Sequence, residues 1–198
     1  GDGLPFGPWS APVELLPSGA GPYQAPSGQE GRPGAVKGFR DPFVRDADDG
    51  RRYLLFTASC ARNPGPHDGV IGLAVSDGDD VFRPLDPPVD ATGVNNELER
   101  PHIIDHDGRL YLFWSTQARV FAPGIVAPTG LYGAVADNMD GPWHLLNGHG
   151  LVLANPAREP FQCYSWWVMP DLSVTGFVDY WGVDDPHLGY DELDDRHA

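Results

Sequence analysis

Two short segments place a carboxylate and an arginine side by side, just ahead of a proline. They are Arg40-Asp41 in FRDPF and Glu99-Arg100 in NNELERPHII, and Glu97 adds a carboxylate two residues before Glu99. A pair of Asp or Glu side chains can break a glycosidic bond. One carboxylate is held ionised against positive charge at the anomeric carbon, and the other keeps a proton for the leaving oxygen. The pattern therefore indicates glycoside chemistry if the two segments meet in space.

A plainer interpretation of these charges stays open. Carboxylates at a rim are commonly solvated, and an arginine–carboxylate pair can simply join two neighbouring elements. Two features weigh against it. The cluster of acid, arginine and proline occurs at two equivalent places, and Glu97 and Glu99 fall on one face of a strand by its two-residue period. Like charges placed so close raise the free energy unless a ligand or a partner uses them.

An internal repeat offers a way for the two segments to meet. Residues 40–59 resemble residues 99–116, since each stretch has the charged pair, the proline, a short apolar strand, an Asp-Gly turn and an aromatic-rich strand. The turns, Asp49-Gly50 and Asp107-Gly108, are hairpin signals because a tight primed turn needs positive φ. The same comparison predicts third strands at 71–78 and 131–138, fourth strands at 81–89 and 141–153, a weaker third copy at 167–182, and the tail of an earlier unit at 6–16.

The repeat predicts an all-β fold, built as a β-propeller, with a Greek-key sandwich as the alternative. Its period is about 60 residues with about four strands in each unit, and no long window has helical periodicity. About three units are present where propellers typically need four or more. We therefore expect residues 1–198 to form a single partial domain, incomplete at both ends. A blade's first strand is an edge strand beside the central channel, where proline is tolerated, so the charged pairs are expected at one channel mouth.

The amino-acid composition limits the kinds of molecule that this chain is expected to bind. The 198 residues include 28 acidic and 13 basic side chains, a formal net charge of −15. This excess argues against binding to nucleic acid or an anionic membrane, and no apolar run reaches the roughly 18 residues of a membrane helix. Cys60 and Cys163 are expected as free buried thiols, with pairing as the alternative. His102 is open to two interpretations, a group facing the channel or a hydrogen-bonded structural histidine.

Four segments together resemble glycoside hydrolase family 68: FRDPF, NNELERPHII, GRLYLFWSTQ and YSWWVMPDLSVTGFVDYWG. This family contains levansucrases, inulosucrases and β-fructofuranosidases with five-bladed propellers. Related invertase and arabinanase families share Arg-Asp-Pro but usually carry their acid in another context, so Glu-Arg-Pro favours family 68. The resemblance implies a secreted, retaining fructosyltransferase that takes fructose from sucrose and passes it to sugars or water. A mainly hydrolytic β-fructofuranosidase and a non-catalytic sugar-binding propeller are the alternatives.

The resemblance also implies roles for single residues. Asp41 matches the stabiliser of the oxocarbenium-like transition state, and Glu99 matches the general acid/base. Arg100 is expected to hold Glu97 and Glu99 in place, since a guanidinium offers a fork of donors. Gln117 stands where other members carry Arg or His near the acceptor sugar, which favours hydrolysis or short products. Substrate-binding roles thus fall to Arg40, Glu97, Arg100, Gln117 and Tyr164, the last with a core aromatic as its alternative.

One group that the family uses is not found in this sequence. The nucleophilic Asp of the family lies in a Trp-Asp segment, and no Trp among the 198 residues is followed by Asp. The missing N-terminal part of the propeller, or else a partner subunit, is expected to supply it, and this chain alone is expected to be inactive. The calcium site of some members uses an Asp where this chain has Asn96, and no histidine spacing suits a metal. No metal or other cofactor is expected, and the expected partners are sucrose and fructosyl acceptors.

Overall fold

The computed structural model describes residues 10–27, 35–77, 81–183, 188 and 192. This part of the chain is almost entirely strands and loops, with short 3₁₀ turns at Ala118–Val120 and Leu146–Gly148. The strands are β1 (Phe39–Asp46), β2 (Arg52–Ser59), β3 (Gly69–Ser76), β4 (Arg83–Pro84), β5 (Val89–Asp90), β6 (Glu99–His106), β7 (Arg109–Thr116), β8 (Gly130–Ala136), β9 (His144–Leu145), β10 (Leu151–Ala154), β11 (Cys163–Val168) and β12 (Val174–Val178).

The strands form three antiparallel sheets that follow the predicted repeat. In unit A the order is β1-β2-β3, and both β4 and β5 pair with the outer side of β3. In unit B the order is β6-β7-β8, and β9 and β10 both pair with β8. Hairpin C is β11 with β12. The all-β, blade-like architecture is confirmed, with each predicted fourth strand broken into two short segments and the third copy beginning at Cys163.

The two Asp-Gly turns differ in geometry. Asp107 and Gly108 have φ of 49° and 73°, as a two-residue primed turn between β6 and β7 requires. Between β1 and β2 only Gly50 has positive φ, 85°, so the prediction of a second primed turn is wrong. That connection is longer and closes through hydrogen bonds from Ala47 N–H to the Arg51 carbonyl and from Gly50 N–H to the Ala47 carbonyl. The extra residues remove the need for two left-handed positions.

Apolar side chains pack the sheets face to face. β2 and β3 are buried along nearly their whole length, as strands covered on both faces are. One cluster, which includes Leu55, Ile71 and Leu112, joins unit A to unit B. Another, which includes Ile104 and Trp166, joins unit B to hairpin C. The inner strands β1, β6 and β11 consequently lie side by side, and this arrangement brings their side chains to one place.

A buried ion pair fixes the segment that leads into β1. Asp68 is fully buried, and the Lys37 ammonium lies 2.8 Å from its Oδ1 and 2.9 Å from its Oδ2. Gln24 Nε2 and the Gly65 N–H also donate to Oδ2, each at 2.8 Å. The donors to this carboxylate that the described residues provide thus come from unit A and the segments around it.

Replacing Lys37 with Met is expected to lower the free energy of unfolding by about 3–5 kcal/mol, because Asp68 would remain as a buried charge without its counter-ion. Urea denaturation of the full-length protein measures this. Arg109→Met is the matched control, since it removes an exposed pair with Asp137 and should cost less than about 1 kcal/mol. Equal losses in the two variants would contradict the role given to Lys37.

Within the described residues, no helix is long and apolar enough to cross a membrane.

The two cysteines are both free thiols. Cys60 is buried and Cys163 is half-buried. Of the predicted earlier unit at 6–16, residues 6–9 lie outside the described part of the chain, and residues 10–16 form no strand.

Candidate active site

Each inner strand contains a β-bulge at the same position. Pairing with the neighbouring strand slips between residues 40 and 43 in β1, 99 and 102 in β6, and 164 and 167 in β11. Within each slip one residue has a left-handed backbone, with φ of 55° at Asp41, 52° at Arg100 and 57° at Ser165. Such values are uncommon outside glycine, and bulges re-aim the side chains beside them.

The three bulges make Arg40, Glu99 and Tyr164 structurally equivalent. Each is the residue just before the left-handed position of its inner strand. Because the inner strands adjoin, these three side chains converge. Tyr164 belongs to the site by the same register that places Arg40 and Glu99. Hairpin C lacks the proline of the other two units, so its register was not visible in the sequence pattern.

The Arg40 guanidinium contacts three carboxylates. Its Nη2 donates to Glu97 Oε1 at 2.9 Å and to Glu99 Oε1 at 2.8 Å, and its Nε lies 3.8 Å from Asp41 Oδ2. Burial acts to lower the pKa of Arg40, but the hydrogen bonds and negative charges of Glu99 and Glu97 outweigh it and leave that pKa raised. The guanidinium therefore stays charged and holds acidic groups from two units together.

Asp41 is held by donors from both units. Its Oδ2 accepts a hydrogen bond from the Thr57 hydroxyl at 2.9 Å and from the backbone N–H of Arg100 at 3.3 Å. The Thr57 hydroxyl also accepts from that N–H at 3.2 Å. Since the bulge of β6 supplies the Arg100 N–H, the acid of unit A is joined to the backbone beside the acid of unit B.

Each carboxylate oxygen of Glu99 accepts a hydrogen bond. Arg40 donates to its Oε1, and the Tyr164 hydroxyl donates to its Oε2. Burial, then the charge of Glu99 and this hydrogen bond, raise the pKa of Tyr164 well above its usual value, while a hydrogen bond from Gln117 lowers it in part. Tyr164 therefore remains a protonated donor at neutral pH. Gln117 is itself oriented by Arg119, whose Nε lies 2.9 Å from its Oε1.

Glu97 sits in an environment that favours its protonated form. Burial and then the negative charge of Glu99 raise its pKa, although Arg40 and Arg119 act in the opposite direction. Its side chain is 13% exposed and that of Glu99 is 16% exposed, so both carboxylates are partly open to a ligand. Carboxylates gathered around one guanidinium, with a tyrosine hydroxyl beside them, can bind polyhydroxy compounds and move a proton.

Six of the seven predicted site residues form one connected set of contacts: Arg40, Asp41, Glu97, Glu99, Gln117 and Tyr164. The seventh, Arg100, adjoins the site through its backbone, and its guanidinium lies over the ring of Phe177, 6.0 Å from the centroid. Among the described residues it is the guanidinium of Arg40 that bridges Glu97 and Glu99, not that of Arg100 as expected. Arg100 occupies the left-handed position of the β6 bulge, and its guanidinium lies beside Phe177 of β12. Sequence patterns gave no signal for Thr57 or Arg119.

A separate apolar pocket of about 310 Å³ lies between units A and B. It is lined by Leu98, Trp114, Tyr132 and Trp143 among others, and by none of the site carboxylates.

Metal binding is a separate question. In the part of the chain that the structure covers, no group of three or more His, Cys, Asp and Glu side chains could hold a metal ion. Asn96 is buried, and its Nδ2 donates to the Val36 carbonyl at 3.3 Å.

Comparison with known proteins points to one family. The model for the family described as Levansucrase/Invertase matches residues 67–190. The levansucrase of Rahnella aquatilis is 39% identical over 168 residues, which cover 71% of this chain and 40% of that protein. The levansucrase of Zymomonas mobilis is 35% identical over 177 residues, covering 76% and 42%. This chain thus spans about 40% of the length of these curated relatives.

Solved structures agree with the curated relatives. The inulosucrase from Halalkalicoccus jeotgali bound to kestose superposes with a TM-score of 0.78 at 38% identity, covering 94% of this chain and 48% of that one. A β-fructofuranosidase variant from Microbacterium saccharophilum superposes with a TM-score of 0.68 at 26% identity, covering 84% and 40%.

Proposed function

The chain belongs to the Levansucrase/Invertase family, glycoside hydrolase family 68, and on that premise we propose that the protein transfers the fructosyl group of sucrose to sugar acceptors or to water. The observation that carries this proposal is the single guanidinium of Arg40 that gathers Asp41, Glu97 and Glu99, with Tyr164 donating to Glu99. These are carboxylates from two blades with a defined donor on the proposed acid/base, which suits glycosidic bond cleavage.

In the first step Glu99 acts as the general acid. The bond between fructosyl C2 and the bridging oxygen breaks, the electron pair stays on that oxygen, and the proton of Glu99 passes to it to release glucose. Arg40 and Tyr164 keep the carboxyl of Glu99 in one orientation through contacts to its two oxygens. As the bond from C2 to the bridging oxygen breaks, C2 bonds to the nucleophilic carboxylate of the retaining mechanism, which we place outside these 198 residues. In the second step the Glu99 carboxylate takes a proton from water or from an acceptor hydroxyl, and the oxygen of that group bonds to fructosyl C2 as the bond from C2 to the nucleophile breaks.

Asp41 stabilises the positive charge that develops on the fructosyl ring and accepts hydrogen bonds from its hydroxyls. Its fixed orientation, set by Thr57 and by the backbone of Arg100, supports this role because a preorganised acceptor needs no rearrangement during the reaction. Glu97 binds a sugar hydroxyl beside Glu99. The exposed guanidinium of Arg100, next to Phe177, is placed to contact substrate at the channel mouth.

The retaining reaction needs a third carboxylate as nucleophile. We propose that it comes from a segment outside these 198 residues, which contain no Trp followed by Asp. This chain alone is then expected to bind sugar without turning sucrose over. The family premise also supports an extracellular location and a single propeller domain completed by further strands.

Incubating the full-length protein with sucrose, and resolving glucose, fructose and transfer products, tests the proposal. Release of glucose with transfer of fructose to sugars or water is the expected result. Binding of sucrose without glucose release would instead indicate a non-catalytic sugar-binding propeller. A product profile of free glucose and fructose alone would limit the activity to hydrolysis.

Gln117→His is expected to raise the ratio of transfer products to hydrolysis by about two- to tenfold, the range that one hydrogen bond to an acceptor sugar provides. Gln117 contacts Tyr164 and so lies beside Glu99, where an acceptor must enter. The ratio is measured by chromatography at equal sucrose consumption. An unchanged ratio would remove Gln117 from the acceptor site.

A further inference from the structure

His102 is a buried ring with both nitrogens engaged. It is 0% exposed, its Nδ1 lies 3.2 Å from the carbonyl oxygen of Arg100, and its Nε2 lies 3.0 Å from the backbone nitrogen of Val168. A backbone N–H can only donate, so Nε2 is the unprotonated nitrogen that accepts from Val168. Nδ1 therefore carries the proton and donates to the Arg100 carbonyl. The ring is neutral, with one fixed tautomer.

The surroundings of His102 keep it neutral. The ring stacks on Trp167 at 4.1 Å between centroids and 14° between planes, and the rings of Phe43 and Phe113 lie at 6.4 Å and 5.7 Å. Burial lowers the pKa of His102 to about 4. Phe43, His102 and Trp167 are equivalent positions on three adjoining inner strands, so they form an aromatic layer two residues after the left-handed position of each bulge.

The two hydrogen bonds of His102 join the two strands that form the proposed acid/base site. The Arg100 carbonyl belongs to the bulge of β6, immediately after Glu99, and Val168 belongs to β11, which also carries Tyr164. The slip in pairing leaves no ladder partner for Arg100 on β7. The imidazole thus replaces the missing ladder contact on one side and connects to the neighbouring sheet on the other.

We propose that His102 is a positioning residue that sets the separation between Glu99 and Tyr164 by tying the bulge of β6 to β11. The structural part of this inference, the tie between β6 and β11, rests on geometry alone. Its consequence for catalysis rests on the proposed function. Without the tie, the bulge can shift relative to β11, and the Tyr164 hydroxyl loses its fixed place on Glu99. Substrate binding through Asp41 is expected to change little, because its shorter donor, the Thr57 hydroxyl at 2.9 Å, lies on β2 and does not depend on the imidazole.

Three substitutions at His102 in the full-length protein separate the parts of this role. His102→Phe keeps the ring and removes both hydrogen bonds. His102→Asn keeps an amide near the position of Nδ1 that can donate to the Arg100 carbonyl, and His102→Gln keeps an oxygen near the position of Nε2 that can accept from Val168. We expect kcat for sucrose to fall about 100-fold in the Phe variant, the effect of misplacing a catalytic group by about 1 Å, with KM changed by less than about threefold. The Asn and Gln variants should each recover part of kcat.

Phe113→Leu is the matched control. Phe113 packs on the same ring but makes no polar contact to the site, so its loss should lower thermal stability and leave kcat of the folded enzyme unchanged. A normal kcat in His102→Phe would overturn the proposal. An equal loss of kcat in Phe113→Leu would also overturn it, since packing alone would then explain the effect.

Crystal structures of the full-length protein and its His102→Phe variant test the structural part without any activity. The expected result is a Tyr164 hydroxyl no longer within hydrogen-bonding distance of Glu99 in the variant. An unchanged contact would overturn the positioning role. Absence of sucrose turnover in the unaltered protein would instead contradict the proposed function, and the two failures are therefore distinguishable.

Discussion

Glu99→Gln in the full-length protein is expected to lower kcat for sucrose by about 10²–10⁴-fold, the usual contribution of a general acid/base. Glutamine has nearly the shape of glutamate, and its amide oxygen can still accept a hydrogen bond from Arg40 or Tyr164. It has no acidic proton for the leaving oxygen and cannot act as a base in the second step. Steady-state glucose release measures kcat, and thermal unfolding checks that the fold is retained.

Asp105→Asn is the control for this substitution. Asp105 lies on the same strand, β6, but its side chain is 64% exposed and pairs only with Arg45 among the contacts that the structure describes. Removing its charge should change kcat by less than about twofold, as expected for a surface ion pair. A near-normal rate in Glu99→Gln would remove Glu99 from the mechanism.

Arg40→Met should produce the second large effect, a fall in kcat/KM for sucrose of about 10²–10³-fold. The substitution leaves Asp41, Glu97 and Glu99 close together without the guanidinium that they share. Arg40 acts to lower the pKa of Glu97, so its loss raises that pKa further. Glu97 accepts a hydrogen bond from a sugar hydroxyl best as a carboxylate, and a carboxyl group with a raised pKa ionises only at higher pH. The acid limb of the kcat/KM profile is therefore expected to move to higher pH.

Arg45→Met provides the comparison for Arg40. Arg45 lies on the same strand, β1, and its Nη2 contacts the exposed Asp105 at 2.7 Å. Its loss should leave the pH profile in place and change kcat/KM by less than about threefold. Arg40→Lys should recover little, since an ammonium lacks the fork that reaches several carboxylates at once. An unshifted acid limb in Arg40→Met would contradict the charge coupling described for this cluster.

Patterns that depend on local spacing predicted much of the fold. The similarity of residues 40–59 to residues 99–116 was sufficient to predict the hairpins and the third strands. It also predicted that β1 and β6 lie at the inner edge of their sheets. Strand order followed because prolines at positions 42 and 101 are tolerated at an edge. The split outer strands were not predicted, since segments of two residues leave no periodicity to detect.

Contacts that depend on register could not be predicted in the same way. A bulge shifts side chains by one position, and hairpin C lacks the proline that marks it, so the sequence alone did not reveal that Tyr164 is equivalent to Arg40 and Glu99. The sequence also did not reveal that Arg40 fills the bridging role expected for Arg100. The ion pair between Lys37 and Asp68 joins segments far apart in the chain with no spacing to mark it. A hydrogen-bonded structural histidine was one of two interpretations of His102, and its partners were not predicted.

A crystal structure of full-length Glu99→Gln protein soaked with sucrose gives the most direct test of Glu99 as the acid/base, because the substitution slows turnover while preserving the geometry of the site. We expect the oxygen joining glucose to fructose to lie within about 3.2 Å of the side chain at position 99, with fructosyl hydroxyls on Asp41 and Glu97. Sucrose bound away from these carboxylates, or with its bridging oxygen out of reach of position 99, would contradict it.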